Sequence, residues 1–226
     1  MNKVCELDEI FPVLKKAQTI MYSGFGGIGN PPLLVKVLAD IDLSAVTLIG
    51  NDAAFPTIGI GPVIANKKVK KLITSHIGSN PIAGQKMISG ELEIEFSPQG
   101  ILMERIRAGG SGIAAVLSDI CYAEALNQPV ETMRWQNQDY FIEPALTADV
   151  AIIYAKKADR FGNLMYEATA RNTAPLMAMA AEQVIVEVEE MVDVGELNPE
   201  HIMTPGLFVT HLVQSQGIDW RWAWEA

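Results

Sequence analysis

The sequence alternates between short apolar runs and segments in which apolar residues recur at helical spacing. This alternation is its most constraining feature, because it is typical of folds in which helices connect the strands of a largely parallel sheet. The predicted strands are 19–22, 46–52, 70–75, 91–96, 148–155 and 183–188. The predicted helices are 7–17, 31–40, 101–110 and 174–181. We therefore predict an α/β fold with a mostly parallel sheet.

Two segments depart from this alternation. Residues 130–135 and 139–145 are predicted to form a small antiparallel hairpin inserted into the pattern. Near the C-terminal end, tryptophans alternate with other residues, which fits a frayed end, an edge strand or a segment covered by another subunit. These tryptophans are Trp220, Trp222 and Trp224. Because no low-complexity linker and no internal repeat divides the chain, we predict a single domain over residues 1–226.

The charge balance argues against a nucleic-acid partner. The chain has 17 Lys and Arg residues against 27 Asp and Glu residues, a formal net charge of −10, whereas phosphate neutralisation needs a basic patch. The one basic run contains Lys67, Lys68, Lys70 and Lys71. A solvated start of a strand explains this run better than an anion site does.

Membrane insertion and metal chemistry are also not expected. No stretch approaches 18 apolar residues, and residues 1–10 carry acidic side chains where a signal peptide has an apolar core. We therefore expect a cytoplasmic protein. Cys5 and Cys121 are too few for a disulfide framework, and Cys121 is expected to pack as a small apolar residue. None of the three histidines has the spacing of a metal ligand.

A glycine-rich turn follows the first predicted strand. Residues 24–29 match G-x-G-x-x-G, and Asp52 follows the next strand, as in a dinucleotide-binding site. However, proline suits the first turn of a helix, so the helix is expected to begin at Pro31 with Asn30 as its N-cap. All the glycines then lie in a loop whose backbone N–H groups could hold an anion or a developing oxyanion. A tight turn without a ligand remains open.

Further polar loops follow other predicted strands. They include 75–81 and 97–100, and in an open parallel sheet such loops line one ligand crevice. Gln99 could donate its amide to a carboxylate or acyl oxygen, or it could simply stabilise a turn. His76 is expected to shape the site, because no residue at a suitable spacing completes a catalytic triad. The polar stretch 159–172 fits either a site or an interface.

Seven segments of the chain together match the motifs of one family. They are 23–31, 51–55, 75–81, 87–100, 104–112, 148–172 and 204–206. These segments resemble the alpha subunit of family I coenzyme A transferases, and in particular of acetate or butyrate–acetoacetate CoA-transferases. The resemblance covers residues 3–214, with the motifs in family order. One departure is Ser23, where the family signature commonly has glycine.

The resemblance implies a three-layer α/β/α sandwich and a ping-pong transfer of CoA from an acyl-CoA to a free carboxylate. In the family, the nucleophilic glutamate lies on the beta subunit in a Ser-Glu-Asn-Gly motif. The nearest counterpart here is the segment 75–78, which has His76 in place of the glutamate. The chain is therefore expected to lack a catalytic nucleophile and to be inactive without a beta subunit.

Site residues and partners follow from the same resemblance. The CoA-binding segment corresponds to Ser23, Gly24, Phe25, Gly26, Gly27, Ile28 and Gly29. Gln99 is implied as a donor to the acyl oxygen, and Asn51, His76 and Gly78 are expected to line the substrate pocket. CoA and short-chain carboxylates act as substrates, with no permanently bound cofactor or metal. The expected assembly is a heterodimer or an α2β2 heterotetramer.

Two other functions remain open from the residues themselves. The glycine turn and Asp52 fit an NAD(P)-dependent oxidoreductase. A non-enzymatic module that binds a small effector is the other alternative. The sequence leaves the preferred acyl group, the acceptor acid, the direction of transfer and the stoichiometry undetermined.

Overall fold

A computed structural model describes residues 2–66, 69–120, 122, 131–218 and 220. The predictions for Lys67, Lys68, Cys121, Trp222 and Trp224 concern positions outside these ranges. No helix within the described ranges is long and apolar enough to cross a membrane.

The main sheet has eight strands. They are β1 (Thr19–Tyr22), β2 (Val46–Ile49), β3 (Val69–Thr74), β4 (Glu93–Phe96), β8 (Ala148–Asp159), β9 (Leu164–Met165), β10 (Ala181–Val192) and β11 (His211–Gln214). Their order is β11-β10-β8-β1-β2-β3-β4, and the short β9 is attached to β8. All neighbours along this path are parallel, and only β9 runs antiparallel to its partner. The predicted mostly parallel sheet is thus confirmed.

Helices cover both faces of this sheet. Successive strand residues point to opposite faces, so Ile20 and Tyr22 join one core cluster with α1 to α4, and Met21 joins another with α5 and α6. Burying such a large apolar side chain contributes roughly 1.5–3 kcal/mol. The result is a three-layer α/β/α arrangement. The helices are α1 (Leu7–Lys16), α2 (Pro32–Asp40), α3 (Gly61–Asn66), α4 (Pro81–Ser89), α5 (Gln99–Gly110) and α6 (Ala174–Ala180).

The predicted hairpin is present as β6 (Thr132–Trp135) and β7 (Gln138–Pro144), which pair antiparallel. Its turn residues, Gln136 and Asn137, have φ angles of 47° and 64°, as tight two-residue hairpins require. A third strand, β5 (Ala115–Ser118), pairs with the other side of β7. The insertion is therefore a three-stranded antiparallel sheet rather than a hairpin alone.

The predicted start of α2 was wrong by one residue, and its predicted cap was also wrong. The helix begins at Pro32 and its N-cap residue is Pro31, whose side chain forms no capping hydrogen bond. Instead, the carboxylate of Glu187 on β10 accepts hydrogen bonds from the backbone N–H groups of Leu33 (2.7 Å) and Leu34 (3.3 Å). A distant carboxylate takes the cap position because the free N–H groups of a helix start attract negative charge.

Candidate active site

Loops at the carboxyl ends of four neighbouring strands meet at one edge of the main sheet. We call residues 23–31, after β1, the first loop, and residues 50–60, after β2, the second loop. The loop 75–80 follows β3, and residues 97–98 follow β4. The sequence prediction of one crevice fed by several strand ends thus agrees with this topology.

The first loop is folded into a tight turn in which Phe25 and Ile28 exchange backbone hydrogen bonds of 2.9 and 3.0 Å. Its glycines allow close approach to neighbouring segments. A Cβ atom on Gly27 would lie 2.6 Å from Ile58, and one on Gly29 would lie 2.5 Å from the carbonyl oxygen of Ala170. Both glycines also have positive φ angles, +99° and +81°, which residues with a side chain rarely adopt.

Few backbone N–H groups of the first loop are accessible to a ligand. The N–H of Gly26 donates to Asp52 (2.9 Å). The N–H groups of Gly24, Gly27 and Gly29 have no hydrogen-bond acceptor among the described residues, yet these glycines are buried. Phe25 protrudes from the loop and is 50% exposed. The tip of the loop, rather than its glycines, is therefore the part open to a ligand.

The second loop contains the same kind of turn, with a backbone hydrogen bond of 3.1 Å from Ile58 to Phe55. Asn30 joins the two loops. Its Oδ1 accepts from the backbone N–H of Ile60 (2.8 Å), and its Nδ2 donates to the carbonyl of Ser23. The side chain that was expected to cap α2 therefore fixes the first loop against the second.

Asp52 is a buried carboxylate, 5% exposed, surrounded by donors. It accepts hydrogen bonds from the backbone N–H groups of Gly26 (2.9 Å) and Ala54 (2.7 Å) and from Nδ2 of Asn51 (2.9 Å). Its carbonyl oxygen accepts from the hydroxyl of Tyr22 (2.8 Å), and burial, reinforced by the Asp52 charge, raises the pKa of that phenol well above its usual value. Asp52 thus holds the first loop and Asn51 in place from within the protein.

Two of the predicted site residues are joined directly. Nε2 of Gln99 donates to Oδ1 of Asn51 at 2.7 Å. Asn51 is 1% exposed, whereas Gln99 is exposed at the start of α5. The structure therefore brings Asn51, Gln99 and the tip of the first loop into one hydrogen-bonded set, with Asp52 between them. Sequence analysis had connected Asp52 only with dinucleotide binding.

His76 and Gly78 lie beside this set. The backbone carbonyl of His76 accepts from the N–H of Ala53 (3.0 Å), which attaches this loop to the second loop. The imidazole is exposed and lies over Gly78, where a Cβ atom would come within 2.8 Å of the ring. No described side chain hydrogen-bonds to the ring. This geometry fits a residue that shapes a pocket wall.

The polar stretch 159–172 divides into parts with different environments. Asp159 accepts from the N–H of Phe161 (2.9 Å) and from Nδ2 of Asn163 (2.8 Å), so these residues build a turn. Arg171 lines a separate pocket, where its guanidinium contacts the sulfur of Met203.

Trp220, the first tryptophan of the C-terminal tail, packs against the ring of Tyr154, with ring centroids 4.7 Å apart.

Sequence reasoning missed two further groups at this edge. Ser97, directly after β4, is buried, and its hydroxyl has no hydrogen-bond partner among the described residues. The second loop was not predicted as a partner of the first, although the spacing of Phe55 and Ile58 repeats that of Phe25 and Ile28 and was a usable signal. Within the described ranges, no cluster of three or more His, Cys, Asp or Glu side chains could hold a metal ion.

Comparison with curated proteins identifies close relatives over nearly the whole chain. It is 48% identical over 225 residues to a probable coenzyme A transferase subunit alpha of Bacillus subtilis, covering 99% of this chain and 98% of the relative. It is 42% identical over 215 residues to the acetate CoA-transferase subunit alpha of Escherichia coli K12, covering 95% and 98%. It is 41% identical over 213 residues to the acetoacetyl-CoA:acetate/butyrate CoA transferase alpha subunit of Clostridium acetobutylicum, covering 94% and 98%.

Solved structures share the fold. An acyl-CoA transferase apoenzyme from Escherichia coli O157:H7 superposes with a TM-score of 0.84 at 22% identity over 95% of this chain, which spans 47% of that longer chain. Glutaconate coenzyme A-transferase from Acidaminococcus fermentans superposes with a TM-score of 0.81 at 21% identity, over 94% of this chain and 75% of that one. The family model described as Coenzyme A transferase matches residues 8–215. The chain therefore belongs to the coenzyme A transferase family.

Proposed function

We propose that this chain is the alpha subunit of a heteromeric CoA-transferase that exchanges CoA between a short-chain acyl-CoA and acetate, butyrate or acetoacetate. The observation that carries the proposal is the hydrogen-bonded set at the strand ends, in which the exposed Gln99 donates to the buried Asn51 and Asn51 donates to Asp52. The named relatives are alpha subunits, and the nucleophilic glutamate is accordingly proposed to come from a beta subunit.

In the proposed reaction, a glutamate of the beta subunit adds to the thioester carbonyl carbon. The C–S bond breaks, CoA leaves as a thiolate, and an acyl-glutamyl anhydride forms. The thiolate then attacks the glutamyl carbonyl of the anhydride, which releases the first carboxylate and leaves a glutamyl-CoA thioester. The second acid reverses these steps, so one difficult exchange is divided into easier ones.

Gln99 is the proposed donor to the acyl oxygen. Its Nε2 uses one N–H on Asn51, and its second N–H has no acceptor among the described residues. A positioned donor of this kind stabilises the negative charge that develops on the oxygen, and removing one typically costs about 10²–10³ in rate. Asn51, His76 and Gly78 would form the pocket wall.

The first loop, residues 23–29, is the proposed contact for CoA. The exposed ring of Phe25 at its tip offers an apolar surface to the chain of the thioester. CoA is a substrate in this scheme, with no permanently bound cofactor. We further propose a cytoplasmic heterodimer, or its doubled α2β2 form.

The geometry does not favour the oxidoreductase alternative. In a dinucleotide-binding turn the last glycine lies within the helix, whereas Gly29 precedes α2 by three residues. Asp52, the expected ribose ligand, is buried and accepts hydrogen bonds from three protein donors. No observation favours the effector-binding module.

The experiment compares the purified chain with the chain co-expressed with a subunit that carries the Ser-Glu-Asn-Gly motif. We expect no transferase activity from the chain alone and full activity from the complex. In the complex, Gln99→Ala should lower kcat by about 10²-fold, whereas Gln138→Ala, which truncates an exposed glutamine of β7, should leave it unchanged.

Trapping distinguishes the two subunits. Hydroxylamine or borohydride added with acyl-CoA should modify a glutamate of the partner subunit, as mass spectrometry of both chains would detect. Full activity of the isolated chain, or a modified glutamate in this chain, would overturn the proposed division of labour.

A further inference from the structure

We infer that Asp52 is a positioning residue for the transfer reaction, because it sets which way the amides of Asn51 and Gln99 face. The inference rests on the proposed role of Gln99 as donor to the acyl oxygen. It assigns a task to a carboxylate that has no part in the reaction steps themselves.

The first step concerns Asn51. An ionised carboxylate can only accept hydrogen bonds, so the Asn51 atom at 2.9 Å from Oδ2 of Asp52 must be the amide nitrogen. With Asn51 1% exposed, water does not offer this amide an alternative partner. Asp52 therefore fixes an orientation that an isolated asparagine would leave undetermined.

The second step carries this orientation to Gln99. Because Nδ2 of Asn51 faces Asp52, its Oδ1 faces Gln99, and Oδ1 is an acceptor. Gln99 must then present its Nε2, and it does so at 2.7 Å. The second N–H on this anchored nitrogen is the one proposed to meet the acyl oxygen. An unanchored glutamine on the exposed start of a helix could equally present its carbonyl oxygen, which would repel the developing negative charge.

The third step links this relay to the first loop. The Asp52 oxygen that accepts from Asn51 also accepts from the backbone N–H of Gly26 at 2.9 Å. The proposed CoA-contacting loop and the proposed acyl-oxygen donor are thus both held by one buried atom. A displacement of about 1 Å at a reacting centre can cost on the order of 10² in rate, so such a common anchor matters for catalysis.

Asn at position 52 would keep the volume but not the function of this anchor. Asp52 accepts from three donors with two oxygens, whereas an amide has a single acceptor oxygen and would turn an NH₂ group toward at least one of them. If its oxygen faces Ala54, its NH₂ group opposes the donors of Asn51 and Gly26, and Asn51 loses its fixed orientation. If its oxygen faces these two donors, its NH₂ group opposes the N–H of Ala54 and displaces residue 52. In either case the link from residue 52 to Gln99 is weakened.

The experiment is a double-mutant cycle in the complex with the beta subunit. Asp52→Asn should lower kcat roughly 10- to 100-fold. If Asp52 acts through Gln99, Asp52→Asn should slow the Gln99→Ala enzyme much less than it slows the wild-type enzyme. The remaining effect, including any change in KM for the acyl-CoA, comes from the lost contact with Gly26. A purely structural role would instead give multiplied effects, and that outcome would overturn the inference.

Two further variants complete the cycle. If Asp52→Asn does not fold, Asn51→Ala removes the side chain that links Asp52 to Gln99 and leaves the hydrogen bonds that Asp52 accepts from Gly26 and Ala54. Effects of Asn51→Ala and Gln99→Ala that multiply would then overturn the relay. The matched control is Asp149→Asn. Asp149 accepts hydrogen bonds from the backbone N–H groups of Gln18 (2.7 Å) and Thr19 (2.9 Å) at the N-terminal ends of the strands, far from the site. Its kcat should be unchanged.

The outcomes separate the inference from the function on which it rests. If Gln99→Ala itself leaves kcat unchanged, the donor role of Gln99 fails, and the relay fails with it. If Gln99→Ala is slow but the effects of Asp52→Asn multiply with it, the donor role stands and only the positioning role of Asp52 is overturned.

Discussion

The first and second loops are built on the same plan but contribute different things to the site. Each follows a parallel strand and contains a turn between a phenylalanine and an isoleucine three residues later, Phe25 to Ile28 and Phe55 to Ile58. The first loop contributes a backbone N–H group, that of Gly26, and its glycines allow close packing against neighbouring segments. The second contributes the polar side chains of Asn51 and Asp52.

This difference shows that the glycine-rich motif indicates close packing between chain segments. Gly27 lies where a Cβ atom would collide with Ile58 of the other loop, so the motif marks where two segments approach closely. The polar side chains to which the proposed donor Gln99 is connected lie on the second loop. Variants at the contact between the loops, at the side chain that joins them and at the starts of the helices that follow them test this contrast, from the largest expected effect to the smallest.

The largest effect is expected where the loops touch. Gly59→Ala would place a Cβ atom 3.0 Å from the Cα of Gly27 and against the side chain of Asn30, at a φ of +56°. The left-handed backbone conformation and the overpacking together should lower the free energy of unfolding by about 3–5 kcal/mol. Urea denaturation measures this loss.

The matched control for the contact is Gly112→Ala. Gly112 also has a positive φ, +70°, but no atom lies within 4 Å of its Cβ position, so only the backbone cost of about 1–2 kcal/mol should appear. Equal losses for the two variants would contradict a tight contact between the loops.

The second prediction removes the side chain that joins the loops. Asn30→Ala leaves the N–H of Ile60 and the carbonyl of Ser23 without their partners in a buried site. Each unsatisfied group costs at least about 1 kcal/mol, so we expect the two together to lower the free energy of unfolding by at least about 2 kcal/mol.

The control for Asn30 is Asn198→Ala. Asn198 is exposed, and its side chain caps only a short 3-10 helix by accepting from the N–H of Glu200. A cap of this kind is worth about 1 kcal/mol or less. A loss at Asn30 no greater than that at Asn198 would show that the two loops are not held together by this side chain.

Much of the sheet was predictable because buried parallel strands are nearly continuous apolar runs. The run 148–155 was predicted in this way and forms the first part of β8. Two helices were missed for physical reasons. Helix α3 has only six residues and begins with Gly-Pro, and α4 carries Gly84 and an Ile88 that is 84% exposed, so neither shows a clear apolar stripe.

The position of Gln99 after a strand was predictable from topology, whereas Asn51 was expected in the pocket only from the family resemblance. The connection between them was not predictable, because they are 48 positions apart and no local rule predicts their hydrogen bond. Asn30 satisfies every local rule for an N-cap, but Glu187, 154 positions from Leu33, occupies that place. Tertiary contacts of this kind override local preferences because a buried carboxylate must find donors.

The smallest expected effect concerns the helices that follow the two loops. At the start of α2, Glu187 accepts from Leu33 and Leu34, whereas just before α3 the neutral Asn30 accepts from Ile60. Burial raises the pKa of Glu187 above its ordinary 4.5, although hydrogen bonds from Ser215 and the two N–H groups oppose the shift. The folded state thus holds this proton more tightly than the unfolded state does.

The first loop's helix should therefore be sensitive to pH, and the second loop's helix should not. As pH rises from 4.5 through the raised native pKa, the stabilisation that comes from holding the proton is lost, so the free energy of unfolding falls relative to that of Glu187→Gln, which cannot titrate. A glutamine can still accept from Leu33 and Leu34 and donate to Ser215, so the comparison isolates the charge. Urea denaturation of both proteins across this range measures the difference.

Ser215→Ala removes a hydrogen bond that lowers the pKa of Glu187, and it should extend the pH range over which the free energy of unfolding falls to higher pH. A wild-type curve parallel to that of Glu187→Gln would show that the charge at the start of α2 is already compensated, and that the two helix starts differ only in the residue that caps them.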